Sequence, residues 1–259
     1  MTLPRSTLLV LAAFIAAAPV CFAQNRAEAK SSKPSATASP AAPTDWQGAW
    51  VPDFGALMRG KSNPVFTPEY EAKHAAWVAK AAAGQPVPNP MQNCIPPGMP
   101  DTMELPFPVE FLFTSDRVTI IQEAFGQVRR VYMDGRAHPA EPDPTFNGHS
   151  IGHWEGDTLV IDTTQIRDDT YLPIRGEADT VPGPHSDALH IVERIRLVEP
   201  DKLEDKLTLT DTKALAQPWV FSIQYVRHRD WDLREYVCEE NNRDATDASG
   251  KDLLKGVQK

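Results

Sequence analysis

Cysteine, clustered basic charge and long apolar runs are all scarce in this chain, and each scarcity excludes something. Three of the 259 residues are cysteine. Cys21 falls in the leader described below, and the remaining pair, Cys94 and Cys238, reads as one disulfide rather than a metal site or a nucleophile. Lys and Arg number 26 against 35 Asp and Glu, a formal charge of −9 without a basic stripe. That balance argues against nucleic acid or anionic membrane as a partner. After the leader no apolar segment approaches the length of a membrane span, so none is expected. Phosphate loops, dinucleotide fingerprints and zinc ribbons are absent, as is any internal repeat. Gly148-His149-Ser150-Ile151-Gly152 matches a nucleophile elbow in letters only, because that motif requires a strand-turn-helix and this serine lies in a hairpin.

The first residues carry an address. Arg5 precedes an apolar stretch from Leu8 to Val20, and Cys21-Phe22-Ala23 closes it as a small-x-small cleavage site. Residues 1–23 therefore read as a secretory signal peptide; a lipoprotein site at Cys21 is disfavoured by the bulky Val20 before it. Loss of Arg5 with this leader moves the charge to −10. Residues 24–44 hold Ala, Ser, Pro and Lys without an aromatic, too little apolar mass to offset the entropy of ordering, and read as a flexible tether. Residues 243–259 read as a polar tail. One domain of ordinary size is left, residues 45–242, in a periplasmic or secreted protein.

Within that domain one helix is signalled. Thr67 caps, Pro68 suits the first helical position, Glu69 complements the dipole, and Tyr70, His74, Trp77, Val78 and Ala81 follow at helical spacing before Gly84. Cys94 sits among Pro86, Pro88, Pro90, Pro96, Pro97, Pro100, Pro106 and Pro108. A loop so poor in backbone donors needs an external anchor, and a bridge to Cys238 supplies one. The rest is almost all strand. Trp46 to Trp50, Val109–Phe113, Val118–Ala124, Val128–Met133, two strands around Glu155-Gly156-Asp157, Ala188–Val198, Leu203–Thr210, Trp219–Arg227 and Leu233–Val237 are separated by turn residues. Eight to ten consecutive antiparallel strands predict an all-β, up-and-down, lipocalin-like barrel with one N-terminal helix; the alternative is a two-sheet β-sandwich.

The hairpin Gly148–Asp162 concentrates titratable groups on this scaffold. At a strand's period of two, His149, Ile151 and His153 share a face. Histidine changes charge near neutral pH and, beside a carboxylate, shuttles protons. Glu110, Glu123 and Glu193 occupy strand segments whose neighbours look buried, a costly placement unless each is paired; Arg129, Arg130, Arg194 and Arg196 are available partners. This pattern points to His149 and His190 in one cavity with Glu110 or Glu123 as acid–base partner. Arg130 then holds an anionic or phenolic group of a small organic ligand, and His138, Trp154 and His185 complete the binding surface. An internal ion-pair network predicts the same pattern. No histidine spacing matches a metal signature, since His149-x3-His153 is helical ligand spacing on a strand, so neither metal nor other cofactor is expected.

Glu110–Thr119, Arg129–Arg136 with His138-Pro139, the Gly148–Asp162 block, His185–His190 with Glu193-Arg194, Pro218-Trp219 and Glu235–Asn242 together resemble a large set of exported bacterial proteins. The likeness runs from about Cys94 to Asn242. It implies an exported β-rich domain and supplies no reaction. Three functions remain: a periplasmic enzyme of lyase, isomerase or hydrolase type working by histidine–carboxylate chemistry in a barrel cavity, a lipocalin-like binding protein without turnover, or a structural protein of the envelope.

Overall fold

In a computed structural model the described residues are 46–60, 62–141, 143–174 and 181–238, with two short segments at 245–246 and 252–253. The expected signal peptide and tether lie outside them. Of the expected tail only Ala245–Thr246 and Asp252–Leu253 are described, as an antiparallel pair.

Nine strands close into a barrel: β1 (Ala49–Pro52), β2 (Val109–Phe113), β3 (Arg117–Gln122), β4 (Gln127–Tyr132), β5 (His149–Glu155), β6 (Thr158–Thr164), β7 (His190–Glu199), β8 (Lys202–Thr210) and β9 (Trp219–His228), neighbours in sequence being neighbours in the sheet and β9 returning to β1. Closure removes both edges and decides against the sandwich. A ring of nine strands cannot alternate direction throughout, so one junction must be parallel. It is β4–β5, where Val131 faces Ser150 and Tyr132 faces Ile151. A parallel pair needs a crossover rather than a tight turn, and residues 133–148 provide it. The expectation of antiparallel neighbours throughout is corrected at this junction alone.

Local rules account for most other elements. Gly156 turns the β5–β6 hairpin with φ +63°, leaving Glu155 opposite Thr158. Gly148, φ +65°, admits no side chain, since a Cβ would meet the Thr164 carbonyl oxygen at 2.6 Å. The predicted helix is α2 (Pro68–Ala82), preceded by a short unpredicted α1 (Phe54–Gly60). Thr67 takes the N-cap position, but its hydroxyl donates to the Lys213 carbonyl at 2.8 Å instead of capping, and Tyr70 alone of the helix is buried. Segment 233–237 is no strand. The Arg234 amide spends its hydrogen bond on Glu123 Oε2, and Tyr236 packs between Phe107 and Phe125. The segment leads into Cys238, which is disulfide-bonded to Cys94 with Cα atoms 5.6 Å apart.

That bond joins residues 144 apart, so it restricts a very long loop of the unfolded chain. Replacing both cysteines by serine is expected to cost about 2–4 kcal/mol in a denaturant titration. Free thiols in the unreduced, denatured protein would overturn the assignment.

Inward positions are filled by side chains. Trp46, Trp50, Phe111, Ile161, Leu207 and Tyr225 are among the buried residues of one continuous core, and the Trp50 indole donates to the Trp46 carbonyl at 3.0 Å. Among them sits a polar cluster. Arg129 donates to both oxygens of Glu193, to Ser150 Oγ and to Thr163 Oγ1, all four residues being buried. Glu193 is thus the in-phase carboxylate of the sequence, and its role is the internal ion pair. Buried Asp205 lies beside it. Burial, and then the charge of Glu193, push the Asp205 carboxyl well above the ordinary carboxylate range.

Candidate functional site

Because Ser150, Thr163 and Glu193 face inward, their neighbours His149, Asp162 and His190 face outward. The ladder sets them side by side: His149 pairs with Thr164, Ile151 with Asp162, and Asp162 with Val192. The histidines expected in an internal cavity therefore sit on the outer wall, since the interior on that side is taken by the Arg129 cluster.

The β4–β5 crossover lays His138 over this wall. Gln165 Nε2 donates to the Pro139 carbonyl at 2.9 Å, and the Thr145 and Arg167 amides exchange bonds with the Gln165 and Thr145 carbonyls, tying the crossover to the end of β6. His138 Nε2 lies 3.0 Å from Asp162 Oδ1, which His190 Nε2 also approaches at 2.8 Å. His138 Nδ1 lies 2.8 Å from His149 Nδ1. Tyr132 stacks on His149 with centroids 5.3 Å apart, and the Arg136 guanidinium lies over the Tyr132 ring, 3.9 Å from its centroid. Asp134 holds Arg136 in place; that hydrogen bond brings the Asp134 carboxyl down to about 2.

The proton positions in this chain follow from valence. An ionised Asp162 accepts only, so His138 Nε2 carries a hydrogen. In a neutral His138 the Nδ1 then accepts from His149 Nδ1–H. A lone pair is left on His149 Nε2, to which nothing bonds among the described residues. Burial first, with the nearby Arg136 charge adding to it, lowers the His149 pKa below its ordinary 6.5. An NMR titration should therefore find His149 changing charge below pH 6.5, unprotonated and basic through the neutral range. A midpoint above 6.5 would refute the proton assignment.

His149 and Arg130 line one cleft of about 440 Å³ with Gln127, Tyr132, Asn147 and Gln165. His138 and His190 join it through their bonds to His149 and Asp162. Other expected members stand elsewhere. Glu110 lies on β2, paired with Ile121 of β3, across the ring from β6, so its outward side chain points away from the histidines. Glu123, at the end of β3, is occupied by the Arg234 amide. Trp154 faces the core, edge-on to Trp46 at 5.8 Å. His185 is buried in the loops; its Nδ1–H donates to the Ser186 carbonyl at 2.9 Å and its Nε2 lies 2.8 Å from the Thr170 hydroxyl. Burial lowers its pKa, which suits a neutral packing residue. His153 is exposed, bound to Glu155.

The carboxylate partner missed in the sequence is Asp162. Its signal was present: counting back from the Gly156–Asp157 turn pairs Ile151 with Asp162 and puts it on the face of His149. Tyr132 and Arg136 gave no comparable signal. Among the described residues no three His, Cys, Asp or Glu side chains are grouped to hold a metal ion, and no helix is long and apolar enough to cross a membrane.

These features define a closed nine-stranded barrel carrying a histidine–carboxylate cleft on its outer wall. No family model matches the chain, and no curated protein matches it.

Proposed function

We propose that this is an exported enzyme that removes a proton from a small organic acid or phenol bound in the outer-wall cleft. The observation that carries this reading is the chain from Asp162 through His138 to His149. It orients the His149 ring, fixes its tautomer and leaves Nε2 as a base. When Nε2 takes the substrate proton, the resulting imidazolium keeps its Nδ1–H bond to His138, and Asp162 supplies the countercharge. Arg130, exposed at the cleft, meets the anionic group of the substrate. Polar side chains, Gln127, Asn147 and Gln165, surround the remainder. Asn147 Oδ1 is buried without a hydrogen-bond partner, an acceptor suited to a substrate hydroxyl. A base so placed can open a lyase or isomerase reaction by taking a substrate proton, or a hydrolase reaction by taking one from water.

The test is proton NMR on the mature protein with a panel of small carboxylates and phenols in deuterium oxide. Bound members should exchange a carbon-bound proton for deuterium or yield product. A member that binds at His149 without exchange or product would make the protein a binder without turnover, and would end the enzyme reading. Export is supported by the Arg5–Ala23 leader of the sequence and by the Cys94–Cys238 bond. It predicts a mature chain beginning at Gln24 by mass spectrometry; an intact or lipid-bearing N-terminus would contradict it.

A further inference from the structure

A second cavity, of about 660 Å³, opens between residues 106–108 and the stretch that follows β9, and shares no residue with the histidine cleft. Its volume is in the range of small-molecule sites. Trp231 belongs to the lining and is 46% exposed. The indole is nevertheless fixed in orientation, because His228 stacks on one of its faces with centroids 3.7 Å apart and planes 16° from parallel. The opposite face is the one left to the cavity.

The two walls are tied to each other and to the barrel. Glu123, which follows β3 and lines the cavity, donates its amide to the Pro108 carbonyl at 3.0 Å and accepts the Arg234 amide on Oε2 at 2.7 Å. Phe107 packs edge-on against Tyr236 with centroids 5.3 Å apart, and Arg229 Nε donates to Asp201 Oδ1 at 2.8 Å, beside Trp231 in sequence. Walls already fixed lose little freedom when a ligand enters.

Around the indole the lining is polar. Asp230 and Asp232 flank Trp231 in sequence, and both line the cavity with Arg234, all three being exposed. The carboxylates accept and the guanidinium donates, so the rim offers both halves of a hydrogen bond; Glu123 keeps lone pairs beyond the one that the Arg234 amide takes. In contact with water these charges are screened, and they act as hydrogen-bonding groups more than as a field. A pyranose uses every part of this arrangement. Its hydroxyls both donate and accept, and its slightly positive C–H face lies against the negative face of an indole. A small organic cation would use the indole and the acids, but with the Arg234 charge in the same cavity.

We propose that this cavity binds a gluco-configured pyranose, whose equatorial hydroxyls leave the C–H face uninterrupted. The ring lies on the face of Trp231 opposite His228, with its hydroxyls bonded to Glu123, Asp230, Asp232 and Arg234. The site is independent of the proton chemistry assigned to the histidine cleft.

Three probes test it on the full mature protein: cellobiose, the open-chain polyol sorbitol, and tetramethylammonium chloride at matched ionic strength. The readout is the indole N–H signal of Trp231 in NMR, assigned by its loss in Trp231→Ala, with calorimetry for affinity. Cellobiose should shift that signal saturably at millimolar concentration, and sorbitol, which has no ring face, should not. Trp231→Ala should weaken cellobiose at least about tenfold, the scale of one aromatic stack. Asp232→Ala should weaken it several-fold while the Trp231 signal remains in place. Neither variant should move the unfolding midpoint much, because both side chains are exposed. No saturable shift with cellobiose, an equal shift with sorbitol, a response to tetramethylammonium alone, or full cellobiose affinity in Trp231→Ala would each overturn the proposal.

Discussion

Replacing Arg129 with methionine should cost about 3–5 kcal/mol of stability, the expected scale for removing one partner of a buried ion pair. Arg129 and Glu193 are 1% and 0% exposed, and the guanidinium also satisfies Ser150 and Thr163. Burial works against the charge on Arg129, but Glu193 more than offsets this and holds its pKa above the usual value. Without Arg129, Glu193 and Asp205 remain as two acids in the core with no cation. Equilibrium unfolding in urea measures the loss; a change under about 1 kcal/mol would show that the pair is not buried as described. Asp205→Asn makes the complementary case. Both Asp205 oxygens lack a donor partner, and its polar neighbour Glu193 is an acceptor, so a bond between them requires a proton on one carboxyl; the raised pKa places it on Asp205. A carboxyl whose pKa is higher folded than unfolded destabilises the fold progressively as pH rises above the unfolded value near 3.8, by at most about 1.4 kcal/mol per pH unit up to the folded value. Asn cannot ionise. The variant should therefore gain stability relative to the parent as pH is raised from about 4, and a pH-independent difference would refute the protonated Asp205.

The second large effect is catalytic. His149→Ala should lower turnover by about 10²–10⁴-fold, the range attributed to a positioned general base, while the unfolding midpoint changes little because His149 is only half-buried on the outer wall. Asp162→Asn separates the relay from a lone base. Its amide Oδ1 can still accept from His138 and His190, but the negative charge that balances the imidazolium is gone. Turnover should fall, and the His149 titration midpoint should fall with it, because the carboxylate no longer supports the imidazolium. His190→Ala removes one of the two donors on Asp162 Oδ1 and should reduce turnover without abolishing it. If stability collapses in these variants, or turnover survives in His149→Ala, the cluster is a packing device and the site lies elsewhere.

The period-two pattern of β9 settled its faces from sequence: Trp219, Phe221, Ile223 and Tyr225 are buried, and Arg227 continues the same face. Glu193 was legible as a buried carboxylate because it lies in phase with Ile191 and Ile195, and Arg129 was already among its candidate partners. The disulfide was legible from composition, one cysteine in a donor-poor loop and one near the end of the domain. In β6, by contrast, Thr158–Ile161 are all buried, so alternation there did not tell the inner face from the outer.

What the chain determined by itself was local: strands by alternation, the hairpin by Gly156, the helix by Pro68 at its first turn and the spacing that follows, and the set of residues sharing each face. Which face looks inward was decided only on closure, when Ser150 and Thr163 found Arg129 and could be buried at low cost, turning His149 and Asp162 to the outside. The crossover was decided in the same way. Nine strands require one parallel junction, and the loop that spans it carries His138 to Asp162, a contact between residues 24 apart in sequence. Short-range patterning cannot encode it, because the contact depends on how many strands the ring contains.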